Sequence, residues 1–253
     1  MNHDTARPLH APPRAYDPWV RLHGVLFDLD GTLADTAGAE KQAWPALAAV
    51  IARHIPEVDH EELRFRYDSV FEPHWADFLE GRIDFGEYRW NRLREAVAPW
   101  GDLDEALFEA YRAEKRRSVD RLRPFGDAVS TIGTLRAAGL KIGLLTNGPS
   151  ALQRRKLDVT GLERELDAVA ISEEIGVAKP DRKAFRYAAA MLGVSPERVA
   201  MVGDSPVYDI AGALEAGLAA AVLIGELGLE SDGAIAVRTL AEVPAALGIT
   251  GSR

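Results

Sequence analysis

No cysteine occurs in the chain, so disulfide bonds and thiolate metal sites are ruled out from the start. Histidine is sparse as well. The 6 residues, His3, His10, His23, His54, His60 and His74, lie in the N-terminal stretch, beside the first apolar run or in the region after it, and none is assigned a catalytic role. Basic charge is in deficit: 30 Lys and Arg against 39 Asp and Glu leave a net charge of −9, which argues against nucleic acid as a partner. Long apolar runs are missing too. The best, Leu218 to Ile224, falls far short of the roughly 18 residues of a membrane span, so no membrane partner is expected. The first residues carry Pro8, Pro12, Pro13 and Pro18 without the apolar middle of a signal peptide. They read as a loose tail, residues 1–20, and the expected location is cytoplasmic.

What is present is enough apolar residue for a substantial core: 47% of 253 residues, allowing one large domain or two modest ones. The most informative stretch is Gly24-Val25-Leu26-Phe27-Asp28-Leu29-Asp30-Gly31-Thr32-Leu33. Its apolar part reads as a strand buried on both faces. Two carboxylates at the mouth of such a strand are costly unless a cation or ligand compensates them. Gly31 then permits a tight turn and a close backbone approach.

From about Thr36 to Val119 the chain is a series of amphipathic helical stretches, punctuated by Pro56, Pro73, Gly81, Gly86 and Pro99-Trp100-Gly101. Trp44, Trp75, Trp90 and Trp100 all fall there, a shift in composition that suggests an inserted helical module. From Pro124 onward strands and helices alternate. Helices are expected near Phe125–Ala138, Ser150–Val159, Asp181–Leu192 and Val207–Ala216; strands at Lys141–Asn147, Ala168–Ser172, Arg198–Asp204 and Ala220–Ile224. Such alternation with short connections implies a parallel sheet with right-handed crossovers. The expected fold class is therefore α/β: a Rossmann-like sheet, residues 21–35 and 120–253, with helices on both faces, plus an all-helical cap over 36–119.

Asp28 and Asp30, Thr146 and Asn147, Ser172 and Asp204 all fall at the C-terminal ends of their strands, with Lys179 a loop beyond the third. In an open parallel sheet those ends share one edge, where ligands bind at a switch in strand order. Carboxylates without cysteine or histidine partners suit a hard, oxygen-seeking cation such as Mg²⁺. Thr146 and Lys179 suit an anion, and the start of the following helix offers free N–H groups. A carboxylate about 4 Å from a phosphate dianion feels roughly 8 kcal/mol of repulsion at an effective dielectric near 20, which Mg²⁺ and Lys179 would offset. Carboxylate attack on phosphorus is an established covalent strategy, and the second carboxyl is then placed to protonate the leaving oxygen and later activate water.

At this point the chain resembles the haloacid dehalogenase-like superfamily, in its phosphatase branch with a helical cap inserted after the first motif. The matching residues are Asp28-Leu29-Asp30-Gly31-Thr32-Leu33, Leu144-Leu145-Thr146-Asn147-Gly148, Lys179-Pro180, and Gly203-Asp204-Ser205 with Asp209, over about Gly24 to Gly225. Thr146 through Val177, with Gln153, Lys156, Gly161 and Ser172-Glu173-Glu174-Ile175-Gly176, is similar to the nucleotidase-like and sugar-acid phosphatases. The resemblance implies Asp28 as nucleophile, forming an aspartyl-phosphate, and Asp30 as general acid/base with its backbone carbonyl on Mg²⁺. It implies Asp28 and Asp204 as direct metal ligands, with Asp209 supporting the cluster from behind. Thr146, Asn147 and Lys179 would hold the phosphate. The implied partner is a small phosphorylated metabolite such as a sugar phosphate, nucleotide or phospho-acid, with the protein a monomer or homodimer. The cap is expected to select the leaving group and to open and close during turnover.

Plainer readings compete. A calcium loop counted from Asp28 requires Gly at the sixth position and Glu at the twelfth, where Leu33 and Ala39 stand. Gly203-Asp204-Ser205-Pro206-Val207 lacks the second glycine of a serine hydrolase elbow, so Ser205 reads as a helix N-cap. Thr146-Asn147 alone is a turn, Lys179 alone a solvated lysine, and Asp209 alone a first-turn acid; only their shared rim overturns this. The cap tryptophans read as core, and Arg82, Arg89, Arg92 and Arg94 as a solvated helical face. A sugar phosphomutase would use the same rim. A 2-haloacid dehalogenase is disfavoured by the presence of Asp30, and a non-catalytic binding protein by the completeness of the set.

Overall fold

The computed structural model describes residues 21–225 and 233–249; the expected N-terminal tail lies outside them. Two compact units divide the chain. One takes 21–33, 125–146 and the described residues from 163 onward; the other takes 34–124 and 147–162.

The first unit is built on a parallel sheet of β1 (Gly24–Phe27), β2 (Lys141–Thr146), β3 (Ala168–Ile171), β4 (Val199–Gly203), β5 (Ala220–Ile224) and β6 (Ile235–Val237). The spatial order is β3-β2-β1-β4-β5-β6, with every neighbouring pair parallel. The chain therefore runs outward one way through β3 and then starts again on the other side of β1. That reversal between β1 and β4 is where an open α/β sheet leaves a crevice for ligand. Leu26 joins Leu145, Met201, Phe185, Leu192, Ile210 and Leu223 in one buried cluster. Val25 and Phe27, which alternate with Leu26, are fully buried as well, so β1 is apolar on both faces. The sequence reading finds five of the six strands; β6 is an addition.

The second unit is helical: α1 (Thr36–His54), α2 (His60–Ser69), α3 (Phe71–Leu79), α4 (Phe85–Val97), α5 (Glu105–Val119) and α7 (Ser150–Thr160), with α6 (Ala128–Ala137) belonging to the sheet unit. Acid caps start most of these helices. Asp35, Asp59 and Asp104 accept from main-chain N–H groups, and Asp84 with Glu87 forms a reciprocal capping box on α4. Leu47, Ile51, Leu63, Leu93, Val97, Leu107 and Tyr111 form the core. Trp44, Trp90 and Trp100 pack half-buried against it, as the aromatic reading expects, while Trp75 stacks on Phe71 at 5.8 Å.

Arg92 departs from the expected solvated face. It is only 7% exposed, donating from Nε to the Tyr67 carbonyl at 3.0 Å and from Nη1 to the Tyr88 hydroxyl at 3.1 Å. Its guanidinium lies 3.7 Å from the Tyr67 ring centroid. The charge is held by hydrogen bonds and by an aromatic face, which is how a buried arginine becomes tolerable. Among the described residues no helix is long and apolar enough to cross a membrane.

Candidate active site

Asp28 follows β1 directly, and its N–H continues the ladder to Val202 O at 2.9 Å. Phe27 pairs with Leu144 on one side and Val202 on the other. Thr146 ends β2 and Asp204 follows β4, the two strands that flank β1. Neighbouring strands lie about 4.8 Å apart, so the two residues fall at one edge of the sheet, on either side of β1. Thr146 is buried at the end of β2 and Asp204 is exposed just past β4.

The chain leaves β1 through a turn closed by Leu33 N–H to Leu29 O at 3.1 Å, and the buried side chains of Leu29 and Leu33 anchor it. Asp30 sits half-buried on this turn. Gly31 has φ of 78°, and a Cβ on it would lie within 2.2 Å of Asp204 Oδ2. Both conditions demand glycine: the left-handed backbone and the absence of a side chain let Asp204 come up against the β1 turn.

Asp209 lies beyond β4 on a π-helical turn, Pro206–Ala211, followed by α10 (Gly212–Ala216). The helix expected over Val207–Ala216 is thus two pieces. Ser205 Oγ accepts from Tyr208 N at 3.1 Å, the N-cap expected from its position. Both Asp209 N and Ile210 N donate to Ser205 O, at 3.0 and 3.2 Å, which widens the turn. The widened turn holds Asp209 inward. Its Oδ2 accepts from Ser205 N at 3.0 Å, and a Cβ on Gly203 would overlap its carboxyl.

Lys179 joins the pieces. It sits between α8 (Ser172–Ile175) and α9 (Arg182–Met191), 3% exposed, and its Nζ donates to Asp28 Oδ1 at 2.5 Å and to Asp209 Oδ1 at 2.6 Å. The solvated lysine of the plain reading is instead the centre of a buried ion-pair chain. Burial alone would lower its pKa, but Asp209 and Asp28 hold it above the ordinary value. Burial pushes the Asp28 carboxyl well above the usual carboxylate range; Asp209, Asp204 and Asp30 push the same way, and Lys179 opposes them. Asp204 is raised to about 6, first by desolvation and then by Asp209.

Among the described residues, Asp28, Asp204 and Asp209 each present a carboxylate oxygen within 4.8 Å of the others. Lys179 bonds Asp28 and Asp209 but not Asp204, so the three acids outnumber the ammonium among them, an excess that suits a cation. The donors are all hard oxygens, a set that fits Mg²⁺. Asp30 is not among the three side chains; its expected part is a main-chain carbonyl. Asn147 is counted with the helical unit, and its expected role is carried forward below as a proposal.

A family model described as haloacid dehalogenase-like hydrolase matches residues 22–217. The pyrimidine 5'-nucleotidase YjjG of Escherichia coli (strain K12) is 40% identical over 160 residues, 60% of this chain and 67% of that protein. A glyceraldehyde 3-phosphate phosphatase of Methanothermobacter thermautotrophicus is 31% identical over 213 residues, 81% of this chain and 87% of that one. Among solved structures, the magnesium-bound hydrolase YfnB of Bacillus subtilis matches with a TM-score of 0.75 and 26% identity, covering 90% of this chain and 100% of that one.

Proposed function

The chain belongs to the haloacid dehalogenase-like hydrolases and is a phosphoric monoester hydrolase; from that premise we propose that it releases phosphate from a small phosphorylated metabolite, with Mg²⁺, through an aspartyl-phosphate on Asp28. The observation that carries this reading is the buried Asp28–Lys179–Asp209 chain, whose ammonium holds one oxygen of Asp28 at 2.5 Å and leaves the other for attack.

In the first half-reaction the Asp28 carboxylate attacks phosphorus and the bond from phosphorus to the leaving oxygen breaks. Asp30 gives its proton to that oxygen, so the alcohol departs neutral. In the second, Asp30 takes a proton from water, the water oxygen attacks phosphorus, and the acyl–phosphate bond breaks to restore Asp28. Thr146, Asn147 and Lys179 hold the phosphoryl oxygens. Asp28, Asp204 and the main-chain carbonyl of Asp30 would hold Mg²⁺, which supplies positive charge against the anionic oxygens. Asp209 keeps Lys179 aimed. The names of the relatives, a pyrimidine 5'-nucleotidase and a glyceraldehyde 3-phosphate phosphatase, support a small phosphate ester in general.

The test is phosphate release from a generic aryl phosphate with and without Mg²⁺. Asp28→Asn is expected to fall to background while melting like a folded protein, because an amide cannot act as the nucleophile. Turnover retained in that variant overturns the assignment of Asp28.

A further inference from the structure

Lys179 and Asp209 are carried by separate segments, the loop before α9 and the π-helical turn before α10. The backbones of those segments meet at Gly212, the buried first residue of α10, three positions after Asp209. A Cβ on Gly212 would lie 2.6 Å from Phe185 Cε2 and 2.7 Å from the main-chain oxygen of Pro180, the residue next to Lys179. Carbon atoms in contact stand roughly 3.5–4.0 Å apart, so an alanine would force a shift of several tenths of an ångström or more. The two obstacles differ in kind. Phe185 is a side chain on α9 that can be trimmed, whereas the Pro180 oxygen is backbone and moves only with the Lys179–Pro180 segment.

We propose that Gly212 is a positioning residue for Lys179: its missing side chain lets α10, directly after the turn bearing Asp209, back onto Pro180, which sets the reach of the ammonium to Asp209 and Asp28. The residue touches neither substrate nor reacting atoms. It acts by fixing how closely two backbones approach, and with them the 2.5 and 2.6 Å contacts that Lys179 makes to Asp28 and Asp209. Misplacing a reacting group by about 1 Å costs on the order of 100-fold in rate.

The experiment compares wild type with Gly212→Ala, Phe185→Leu and the double variant Gly212→Ala/Phe185→Leu. Gly212→Ala is expected to lower kcat/KM by about 10- to 100-fold. Its crystal structure is expected to show the Lys179–Asp209 separation lengthened from 2.6 Å by roughly the several tenths of an ångström that the overlap demands. In the double variant the ring clash is gone and only the clash with the Pro180 oxygen remains, so the melting temperature recovers in part while turnover stays low. Recovery of turnover together with stability would assign Gly212 to core packing alone and overturn the proposal. So would an unchanged Lys179–Asp209 distance. Should Gly212→Ala fail to fold, the double variant carries both readouts. The kinetic arm rests on the phosphatase reading and the crystallographic arm does not: a wild type that releases no phosphate sinks that reading, while the Lys179–Asp209 distance still decides this one.

Discussion

Replacing Lys179 with methionine isolates the ion-pair chain at the centre of the site. Methionine keeps much of the length of the stem and removes the charge together with its hydrogen bonds to Asp28 and Asp209. In the native protein the ammonium lies 2.5 Å from Asp28 and 2.6 Å from Asp209, with all three side chains buried. At such separations each attraction is roughly 6–7 kcal/mol at an effective dielectric near 20. Desolvation of the three groups takes back most of that sum. Deleting one partner leaves the opposing charges buried and uncompensated, a loss of about 3–5 kcal/mol. For a domain of this size each kcal/mol moves the melting temperature by about 2–4 °C, so the variant should melt roughly 6–20 °C lower in chelator.

The pH dependence follows with its sign fixed. The Asp28 pKa is already raised in the folded protein, and Lys179 is the one neighbour that lowers it. Without Lys179 the carboxyl is raised further. A group with a raised folded pKa favours the native state when protonated and loses that contribution as pH climbs through the folded value. The gap between variant and wild type should therefore be widest near neutrality and narrow toward pH 4, without vanishing, because Asp209 also holds Lys179. Thermal melts from acid to neutral pH in chelator, paired with phosphate release in Mg²⁺, make the test. A variant that melts within about 2 °C of wild type at neutral pH, and turns over normally, refutes the assignment of Lys179 to the site.

Asp204 supplies a second pH test: with a folded pKa of about 6 against an ordinary 3.8, its protonated form favours the native state fully below the lower value and not above the higher. In chelator, Asp204→Asn should match wild type near pH 4 and melt progressively higher than it up to pH 6, beyond which the difference stays constant; in Mg²⁺ at neutral pH the order should reverse. In the helical unit, Arg92→Ala removes two hydrogen bonds and the cation over Tyr67, and should lower unfolding free energy by about 2–4 kcal/mol in a urea titration. The exposed Arg94, two residues on, should lose no more than about 0.5 kcal/mol on the same substitution, and equal losses at both positions would undo the burial argument.

The sheet is legible because its strands are short apolar runs ending in polar residues, and because alternation with helices leaves one handed way to connect them. The sixth strand is hidden by its length. Ile235–Val237 has three residues, too few to carry a period, and it lies at the edge of the sheet where it pairs with β5 alone. Arg92 was hidden by its charge, although its spacing gives the answer: Tyr88, Arg92 and Ala96 stand four apart on α4, and all are buried. Helical period should outrank charge where an arginine falls on an apolar stripe with aromatic neighbours. The π-helical turn has no local signature, because what widens it is a tertiary demand. Asp209 must turn inward to Lys179 while its other oxygen takes the N–H of Ser205. The glycines are readable only as possible turns, since what excludes a side chain at 31 or 203 is a carboxylate from a distant segment or from six residues on.

The acids at the end of β1 and β4 work against the fold as much as with it. Desolvation and neighbouring acids hold both Asp28, which is buried, and Asp204, which is exposed at the rim, above the ordinary carboxylate range, so the ionised cluster weakens the native state without a balancing cation. An amide at either position would be nearly isosteric and free of that penalty. The arrangement makes physical sense where a divalent cation and an anionic ester arrive together, each removing part of the other's electrostatic cost and part of the protein's own. Lys179 then has two tasks that pull the same way: it stabilises the fold against Asp28 and Asp209, and it lowers the Asp28 pKa toward the ionised form that attacks phosphorus. Local instability and chemical competence thus have one source, the convergence of like charges on a rim that only the parallel sheet can assemble.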